Sequence, residues 1–208
     1  MQGPVIVAVT GSFASGKSAF VEMLGALGAE TVSADEIVHD LLTNDDETIA
    51  RVVERFGRGV MGERGVDRRA LGREVFGDED TLRDLEDILH PLVRRETDRR
   101  RQSSGAGLFV AEIPLLFEGG RSGAFDYTVA VVAPEERRRA WAAERGVEEA
   151  ALRAIERRQL GQEEKARRAD VVVQNDGDLD KLRGQAEKLL ARISRERSPG
   201  SRVRNEEP

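Results

Sequence analysis

The feature that most constrains this chain is an eight-residue segment near its N-terminus, GSFASGKS at residues 11–18. It fits the pattern GxxxxGK[ST] at every fixed position, and it directly follows the apolar run VIVAV, which is typical of a strand buried on both faces of a parallel sheet. Apolar residues at helical spacing come next: Phe20, Val21, Leu24 and Leu27. A buried strand, a loop of small residues and a helix in this order predict a phosphate-binding loop rather than a glycine-rich turn without a ligand.

The chemistry of phosphate binding explains the residue types of this loop. Small residues allow successive backbone N–H groups to surround a β-phosphate, and the following helix directs its positive end at the anion. We expect Lys17 to reach the β- and γ-phosphates and the Ser18 hydroxyl to be the metal ligand for Mg²⁺. The residues predicted to bind the nucleotide in this segment are Gly11, Ser12, Phe13, Ala14, Ser15, Gly16, Lys17, Ser18 and Ala19.

Strand patterns alternate with helical patterns along the rest of the chain. Strands are predicted near residues 31–32 and at 108–113, 127–132 and 171–173. The alternation favours an α/β fold of the P-loop NTPase kind, a three-layer sandwich around a five-stranded parallel sheet, with a helical insertion and a helical lid. We expect a single domain over residues 1–195 whose parts are a core at 1–46, 105–134 and 169–195, a helical region at 47–104 and a lid at 135–168. Residues 196–208 are polar and are predicted to be a disordered tail.

Composition excludes several classes of function. The 208 residues contain no cysteine, which rules out disulfides and thiolate metal sites. The net charge of −6 argues against a general nucleic-acid binder. No apolar run approaches the roughly 20 residues of a membrane span, and the N-terminus does not resemble a signal peptide. We therefore expect a cytoplasmic protein that binds small molecules and neither membrane nor nucleic acid. The oligomeric state stays open, with a monomer as one option.

A phosphate-binding loop alone does not separate kinases from GTPases, ATPases or regulatory modules. Asp35 lies where the second strand is predicted to end, at the edge of the sheet where open α/β folds bind ligands. A carboxylate there could accept the proton of an acceptor hydroxyl and help to hold Mg²⁺. Asp35 could equally cap its own helix, with Glu36 beside it. The sequence leaves both interpretations open.

Four ordered blocks give the chain a resemblance that extends to about residue 195. They are VAVTGSFASGKSAFVEMLGALGAETVSADEIVHDLL, then GVDRRALGREVF with LEDILHPLV, then IPLLFE at 113–118, and EEKARRADVVVQNDG at 163–177. Together they resemble the dephospho-coenzyme A kinases. That family completes coenzyme A by phosphorylating the ribose 3′-hydroxyl of dephospho-CoA with ATP.

The resemblance implies an ATP-dependent kinase that uses Mg²⁺ and whose small-molecule substrates are ATP and dephospho-CoA. By correspondence with the family, Asp35 would be the catalytic base, assisted by Lys17 and by a lid arginine. Arg145 is the preferred candidate among six available lid arginines: Arg137, Arg138, Arg139, Arg145, Arg157 and Arg158. Residues 47–104 would form the acceptor-binding region. The implied substrate-binding residues are Asp35, Arg68, His90, Arg94 and Glu118. The loop after the fifth strand, with Asn175 and Gly177, would lie against adenine.

Competing interpretations accompany several of these residues. His90 could be a core or capping histidine, Pro91 could begin a new helix, and Asn175 with Gly177 could form a simple turn. Glu112 and Glu118 could each hold a Mg²⁺-bound water, but only Glu118 belongs to the family signature. For the whole chain, the alternatives are another small-molecule P-loop kinase and a non-catalytic nucleotide-binding module.

The chain departs from the family pattern in three places. The usual loop GGIGSGKS has become GSFASGKS, so that Ser12 and Ala14 replace glycines and Phe13 is bulkier than usual. Ser33 replaces the first aspartate of the family's D-x-D, which removes one carboxylate but keeps Asp35. The lid lacks the glutamine of the family's Q-x-x-R. We expect phosphate binding to survive these changes, because the replacements in the loop are small.

Overall fold

The computed structural model of the chain describes residues 3–75 and 78–197. The strands in these residues are β1 (Val5–Thr10), β2 (Glu30–Ser33), β3 (Leu108–Glu112), β4 (Tyr127–Val132) and β5 (Val171–Gln174). The α-helices in the same residues are α1 (Lys17–Ala26), α2 (Ala34–Asn44), α3 (Asp46–Phe56), α4 (Arg68–Val75), α5 (Glu79–Ser103), α6 (Glu135–Glu144), α7 (Glu149–Arg157), α8 (Gln162–Arg168) and α9 (Leu179–Arg197). Every strand predicted from the sequence forms, and the helical stretches lie where the periodicity placed them.

The strands form one sheet in the order β2-β3-β1-β4-β5. Strand β1 pairs in parallel with β3 on one side and with β4 on the other, and β4 pairs in parallel with β5. The chain thus leaves the central strand toward opposite sides, which creates a crevice at the carboxyl end of β1, where open α/β sheets bind ligands. The predicted fold class, a five-stranded parallel sheet with helices on both faces, is confirmed.

The chain divides into two compact units, of which the first lies within Met1–Thr31 and Gly105–Pro208. Alternate residues of β1 point to opposite faces of its sheet. Val5, Val7 and Val9 pack with residues of α1 and α9, including Phe20 and Leu182. On the other face, Ala8 packs in a cluster with the following residues: Leu116, Phe117, Leu160 and Ala169. The apolar β1 sequence is therefore explained by burial on both sides.

The second unit, Val32–Ser104, is helical and has its own core. The buried members of this core are Leu42, Val52, Phe56, Val60, Val66, Leu71, Val75 and Leu89. Helix α2 belongs to this unit. The unit therefore begins at Val32, before residue 47, where we expected the helical region to begin. Helix α5 runs through Pro91 without a break, and the alternative that Pro91 starts a new helix is wrong.

Two sequence expectations concern the end of the chain and the membrane. Helix α9 includes Glu196 and Arg197, where we expected the tail to begin, and residues 198–208 of that predicted tail lie outside the described residues. Among the residues that the structure describes, none of the helices combines the length and the hydropathy needed to cross a bilayer.

Glu96 on α5 is a carboxylate of the second unit whose pKa is shifted by its neighbours. It accepts hydrogen bonds from Nε of Arg99 at 2.7 Å and from Nε of Arg100 at 2.8 Å. These contacts, the bond from Arg99 foremost, lower the pKa of Glu96 from 4.5 to about 2, although partial burial opposes the shift. Because the folded-state pKa is depressed, the ionised carboxylate stabilises the folded state above the unfolded-state pKa, and this contribution is lost as the pH falls toward about 2.

We predict that Glu96→Gln lowers the free energy of unfolding by about 1 kcal/mol near neutral pH, a figure reduced for the solvent exposure of Arg99. The difference between wild type and variant should shrink as the pH falls from about 5 toward about 2, because the stabilising ionised form of Glu96 is lost over that interval. Urea titrations at several pH values measure it. Glu54→Gln, on the exposed side of α3, is the matched control. A difference that stays constant with pH would contradict the assignment.

Candidate active site

The phosphate-binding loop connects β1 to α1, and two of its glycines are demanded by close neighbours. A Cβ on Gly11 would lie 2.3 Å from the carbonyl oxygen of Val131. Gly16 has a φ of 91°, and a Cβ there would lie 2.1 Å from Nδ2 of Asn175. Real Cβ atoms do not approach other heavy atoms this closely, so only glycine fits at either position.

Ala14 has a backbone conformation that favours glycine. Its φ of 57° lies in the left-handed region, which costs a non-glycine residue roughly 1–2 kcal/mol. Ala14 is 4% exposed and packs in an apolar cluster with Ala142 of α6 and Leu152 of α7. Burial of this methyl group offsets part of the backbone cost.

Lys17 and Ser18 open helix α1 directly behind the loop. Lys17 is 8% exposed, and its Nζ donates a hydrogen bond to the carbonyl oxygen of Ser12 at 3.1 Å. The Ser18 hydroxyl donates to Oε1 of Glu112 at 3.0 Å. Glu112 is the last residue of β3 and stands opposite Val9 of β1, so the register of the parallel sheet brings its carboxylate to the loop.

The beginning of α1 is suited to an anion. Gly16 is its N-cap and provides no side-chain cap, and the first turn contains no acidic residue. The first N–H groups of a helix lack intrahelical acceptors and carry partial positive charge. An uncapped helix start of this kind behind a glycine-containing loop can bind phosphate oxygens through its backbone N–H groups.

The Ser18 hydroxyl and the Glu112 carboxylate supply hard oxygen atoms at one end of this loop. Mg²⁺ prefers such donors and commonly keeps several waters while binding one or two protein groups and substrate phosphates. Within residues 3–75 and 78–197, no group of three or more His, Cys, Asp or Glu side chains could hold a metal ion. One hydroxyl and one carboxylate fit a Mg²⁺ ion whose other ligands are waters and substrate phosphates.

The lid contacts the loop through Arg138 of α6 and through Gln159, which lies between α7 and α8. Arg138 of α6 donates from NH1 to the carbonyl oxygen of Phe13 at 3.2 Å, and its NH2 lies 3.0 Å from Oε1 of Glu156. Gln159 accepts a hydrogen bond from the N–H of Phe13 at 3.0 Å. The apolar cluster that holds Ala14 also includes Phe13 and, from the lid, Trp141 and Val147. Both polar groups of one loop residue are thus bound by the lid.

From the sequence we expected Arg145, not Arg138, to be the functional lid arginine. Arg145, the preferred candidate, is the exposed C-cap of α6, and its side chain has no ion pair among the described residues. Arg138 is only 9% exposed and was one candidate among six. The signal that could have selected it is its spacing from Ala142, because residues four apart share a helix face and Ala142 is buried. Gln159 gave no comparable signal.

The segment after β5 also reaches the loop. Asn175 is 7% exposed and donates from Nδ2 to the carbonyl oxygen of Ser15 at 3.0 Å. The carbonyl oxygen of Gly177 accepts a hydrogen bond from NH1 of Arg137 at 2.6 Å. A simple solvent-facing turn does not account for the buried amide of Asn175.

Glu118 is engaged within the protein. Its Oε1 lies 3.0 Å from Nζ of Lys165 and accepts a hydrogen bond from the N–H of Leu160 at 2.8 Å. Lys165 is fully buried and also donates to the carbonyl oxygen of Pro114 at 2.6 Å. Burial lowers the pKa of Lys165, and the hydrogen bond with Glu118 opposes that shift. The pair ties the segment after β3 to the lid helix α8.

The remaining predicted residues belong to the second unit. Asp35 is exposed in the first turn of α2, and the N-cap of that helix is Ser33, whose hydroxyl accepts from the N–H of Glu36 at 3.4 Å. The capping interpretation of Asp35 is therefore wrong. His90 and Arg94 are exposed and lie four residues apart on α5, so they share a face of that helix.

The exposure of His90 rules out a core histidine, and its place inside α5 rules out a cap. Arg68 is the exposed first residue of α4. The side chains of Arg68, His90 and Arg94 are therefore accessible for binding an acceptor.

Comparison with known proteins agrees with the predicted resemblance. The sequence model of a family described as dephospho-CoA kinase matches residues 5–181. A dephospho-CoA kinase from Syntrophotalea carbinolica is 37% identical over 195 residues, which cover 91% of this chain and 92% of that protein.

Solved structures give the same result. A protein from Thermus thermophilus superposes with a TM-score of 0.79 at 36% identity, over 92% of this chain and 99% of that one. A dephospho-CoA kinase from Campylobacter jejuni has a TM-score of 0.67 at 28% identity, over 91% of this chain and 97% of that one. The similarity covers the phosphate-binding loop, the helical unit and the lid.

We predict that Arg138→Ala loosens the lid from the loop. The substitution removes the donor to Phe13 and leaves Glu156 without its cation, and a charge-assisted hydrogen bond is worth about 2 kcal/mol. Amide hydrogen exchange of α6 and α7, measured by mass spectrometry, should accelerate about thirtyfold. Arg153→Ala removes a solvent-facing arginine of α7 and serves as the control. Equal exchange rates in the two variants would show that Arg138 does not hold the lid.

Proposed function

The chain belongs to the dephospho-CoA kinase family, and from that premise we propose that it transfers the terminal phosphoryl group of ATP to the ribose 3′-hydroxyl of dephospho-CoA. The products are CoA and ADP, and the reaction is the last step of coenzyme A biosynthesis. The observation that carries the proposal is the phosphate-binding loop itself, with Lys17 and the Ser18–Glu112 pair placed at the start of α1.

The loop binds the phosphates of ATP in this proposal. The N–H of Gly16 and those at the start of α1 surround the β-phosphate, whereas the Phe13 N–H stays bound to Gln159. Lys17 exchanges its contact with the Ser12 carbonyl for contacts with the β- and γ-phosphates. Residues 11–19 are the proposed binding segment. The loop after β5, with Asn175 and Gly177, contributes backbone next to the adenine. Binding of ATP, the phosphoryl donor, thus depends more on the backbone geometry of the loop than on its side chains.

Ser18 and Glu112 would hold Mg²⁺, the first as a ligand and the second by binding the metal or one of its waters. The bound metal neutralises charge on the β- and γ-phosphates during transfer. Glu112 supports this assignment better than Glu118, because its carboxylate already touches the Ser18 hydroxyl, whereas Glu118 faces Lys165. We propose that Glu118 affects substrate binding by fixing the segment after β3 to α8.

Asp35 is the proposed catalytic base. It accepts the proton of the ribose 3′-hydroxyl as the new O–P bond forms and as the bond from the γ-phosphorus to the bridging oxygen breaks. Its exposure and its lack of a capping role leave the carboxylate available for that task. A lid arginine would neutralise charge on the transferred group, and Arg145, which is exposed, remains the proposed residue for that contact.

The helical unit is the proposed acceptor-binding region. His90 and Arg94 form one exposed face of α5, and Arg68 begins α4. Arginine and histidine suit the phosphate groups of dephospho-CoA, because their N–H groups donate hydrogen bonds to phosphate oxygens. We propose these three residues as contacts for the acceptor and expect a soluble, cytoplasmic enzyme.

The proposal predicts that the purified protein converts dephospho-CoA to CoA when it is given ATP and Mg²⁺. Mass spectrometry should detect the gain of one phosphoryl group, and Lys17→Met should abolish it, because the lysine contacts the transferred group. Nucleosides, nucleotides and other cofactor precursors are tested in parallel. Turnover of one of these without turnover of dephospho-CoA would reassign the acceptor. ATP binding without any transfer would support a regulatory module instead.

We predict that Asp35→Asn lowers kcat by about 10²–10⁴, the usual range for loss of a general base, while the affinity for ATP stays nearly unchanged. Steady-state kinetics and a nucleotide-binding titration separate these two effects. Glu36→Gln is the matched control, since the neighbouring side chain is also exposed on α2. A variant at Asp35 that retains most of the wild-type kcat would make that residue structural.

A further inference from the structure

One buried polar side chain near the loop has no role in the reaction described above. Asn175 follows β5, and its side-chain amide is enclosed by the protein, with 7% of the residue exposed. It donates from Nδ2 to the carbonyl oxygen of Ser15, a residue 160 positions away in sequence. A buried amide needs a hydrogen-bond partner, and here the partner is the backbone of the phosphate-binding loop.

Resting on the proposed function, we infer that Asn175 is a positioning residue for the phosphate-binding loop. Its amide fixes the Ser15–Gly16 peptide and thereby directs the Gly16 N–H toward the phosphates of the bound nucleotide. In this role the side chain does not read adenine, although the backbone of the same segment can still lie beside the base.

The geometry of a peptide bond supplies the first step. The C=O of one residue and the N–H of the next point to opposite sides of a trans peptide. The Ser15–Gly16 peptide is trans. Because Asn175 binds the Ser15 oxygen on one side, the Gly16 N–H must point to the other side, away from Asn175. In a loop of this kind the phosphates lie on the side to which the N–H groups point.

Packing around Gly16 supplies the second step. The amide of Asn175 lies so close that a Cβ on Gly16 would be 2.1 Å from Nδ2. The φ of Gly16 is 91°, a conformation that glycine adopts freely and that side chains with a Cβ rarely adopt. Asn175 thus restrains this residue both through the Ser15 carbonyl and through direct contact.

Asn175 is itself held firmly. Its N–H donates to the carbonyl oxygen of Val132 at 2.7 Å, which extends the pairing of β4 with β5 by one residue. A residue fixed to the sheet in this way can transfer the rigidity of the sheet to the loop. A side chain on a mobile turn could not do so, because it would move with its own backbone.

The chemical type of the residue follows from these contacts. The Ser15 oxygen accepts a hydrogen bond, so the residue opposite must donate, and a neutral amide does so without adding charge. An aspartate of the same shape would lack the donor and would place a negative charge beside bound phosphates, which repel it. Asparagine therefore provides the donor that the Ser15 carbonyl requires without placing a negative charge beside the phosphates.

A ligand that lacks adenine distinguishes a role of Asn175 in positioning the loop from a role in binding adenine. We propose calorimetric titrations of ATP and of inorganic tripolyphosphate, each with Mg²⁺, into wild type, Asn175→Ala and Asn175→Asp. Asn175→Ala should weaken both ligands by the same factor, about tenfold, as expected for one lost neutral hydrogen bond. Asn175→Asp should weaken both more strongly. Gln174→Ala is the matched control, because Gln174 is exposed and its contacts with Gln185 use only its backbone.

The outcomes are distinct. Weaker ATP binding with unchanged tripolyphosphate binding would assign Asn175 to adenine and overturn the inference, and so would unchanged binding of both. If Asn175→Ala does not fold, as judged by circular dichroism, Asn175→Ser retains a small donor and should fall between wild type and Asn175→Asp in affinity for tripolyphosphate. A wild-type protein that makes no CoA but shows the predicted tripolyphosphate series would refute the proposed function alone.

Discussion

The conformation of the phosphate-binding loop depends on contacts that come from elsewhere in the chain. Hydrogen bonds from the lid and from the residue after β5 hold its backbone at Phe13 and Ser15, and Glu112 binds Ser18 at the start of α1. Within the loop, the Ser15 N–H donates to the carbonyl oxygen of Ser12 at 3.2 Å, and the contacts with Gln159, Arg138 and Asn175 come from outside it. External contacts therefore provide the rigidity that regular secondary structure provides in other segments. The sheet, the lid and the final strand are in this respect parts of one binding site.

Local patterns account for what the sequence could predict. The strands, the loop and the start of α1 depend on residues close in sequence, so periodicity and a short motif located them correctly. The second helical unit was also predicted as helical, but its boundary at Val32 was not, because α2 joins it through packing that no local pattern records. Ser33 illustrates a further limit. Its hydroxyl caps α2, whereas from the sequence we considered only Asp35 for that role.

The contacts of the site that escaped prediction join residues far apart in sequence. Phe13 meets Arg138 and Gln159 over separations of 125 and 146 positions, and Ser15 meets Asn175 over 160. A motif contains no information about such partners, since their meeting depends on strand order and helix packing. From the sequence we considered Glu112 and Glu118 alike as residues that could hold a Mg²⁺-bound water. Only the register of β3 against β1 shows that the Glu112 carboxylate reaches Ser18, whereas Glu118 pairs with Lys165.

At each departure from the family pattern, the residue present has a defined local role in this chain. Ala14, where the family pattern has glycine, has a left-handed backbone, and Ser33, where the pattern has aspartate, caps α2. The bulky Phe13 follows the same logic, because its side chain packs against Trp141 and Val147 of the lid while its N–H and C=O bind Gln159 and Arg138. The added apolar contact with the lid can offset the strain that Ala14 introduces one residue later, since both residues belong to the same buried cluster.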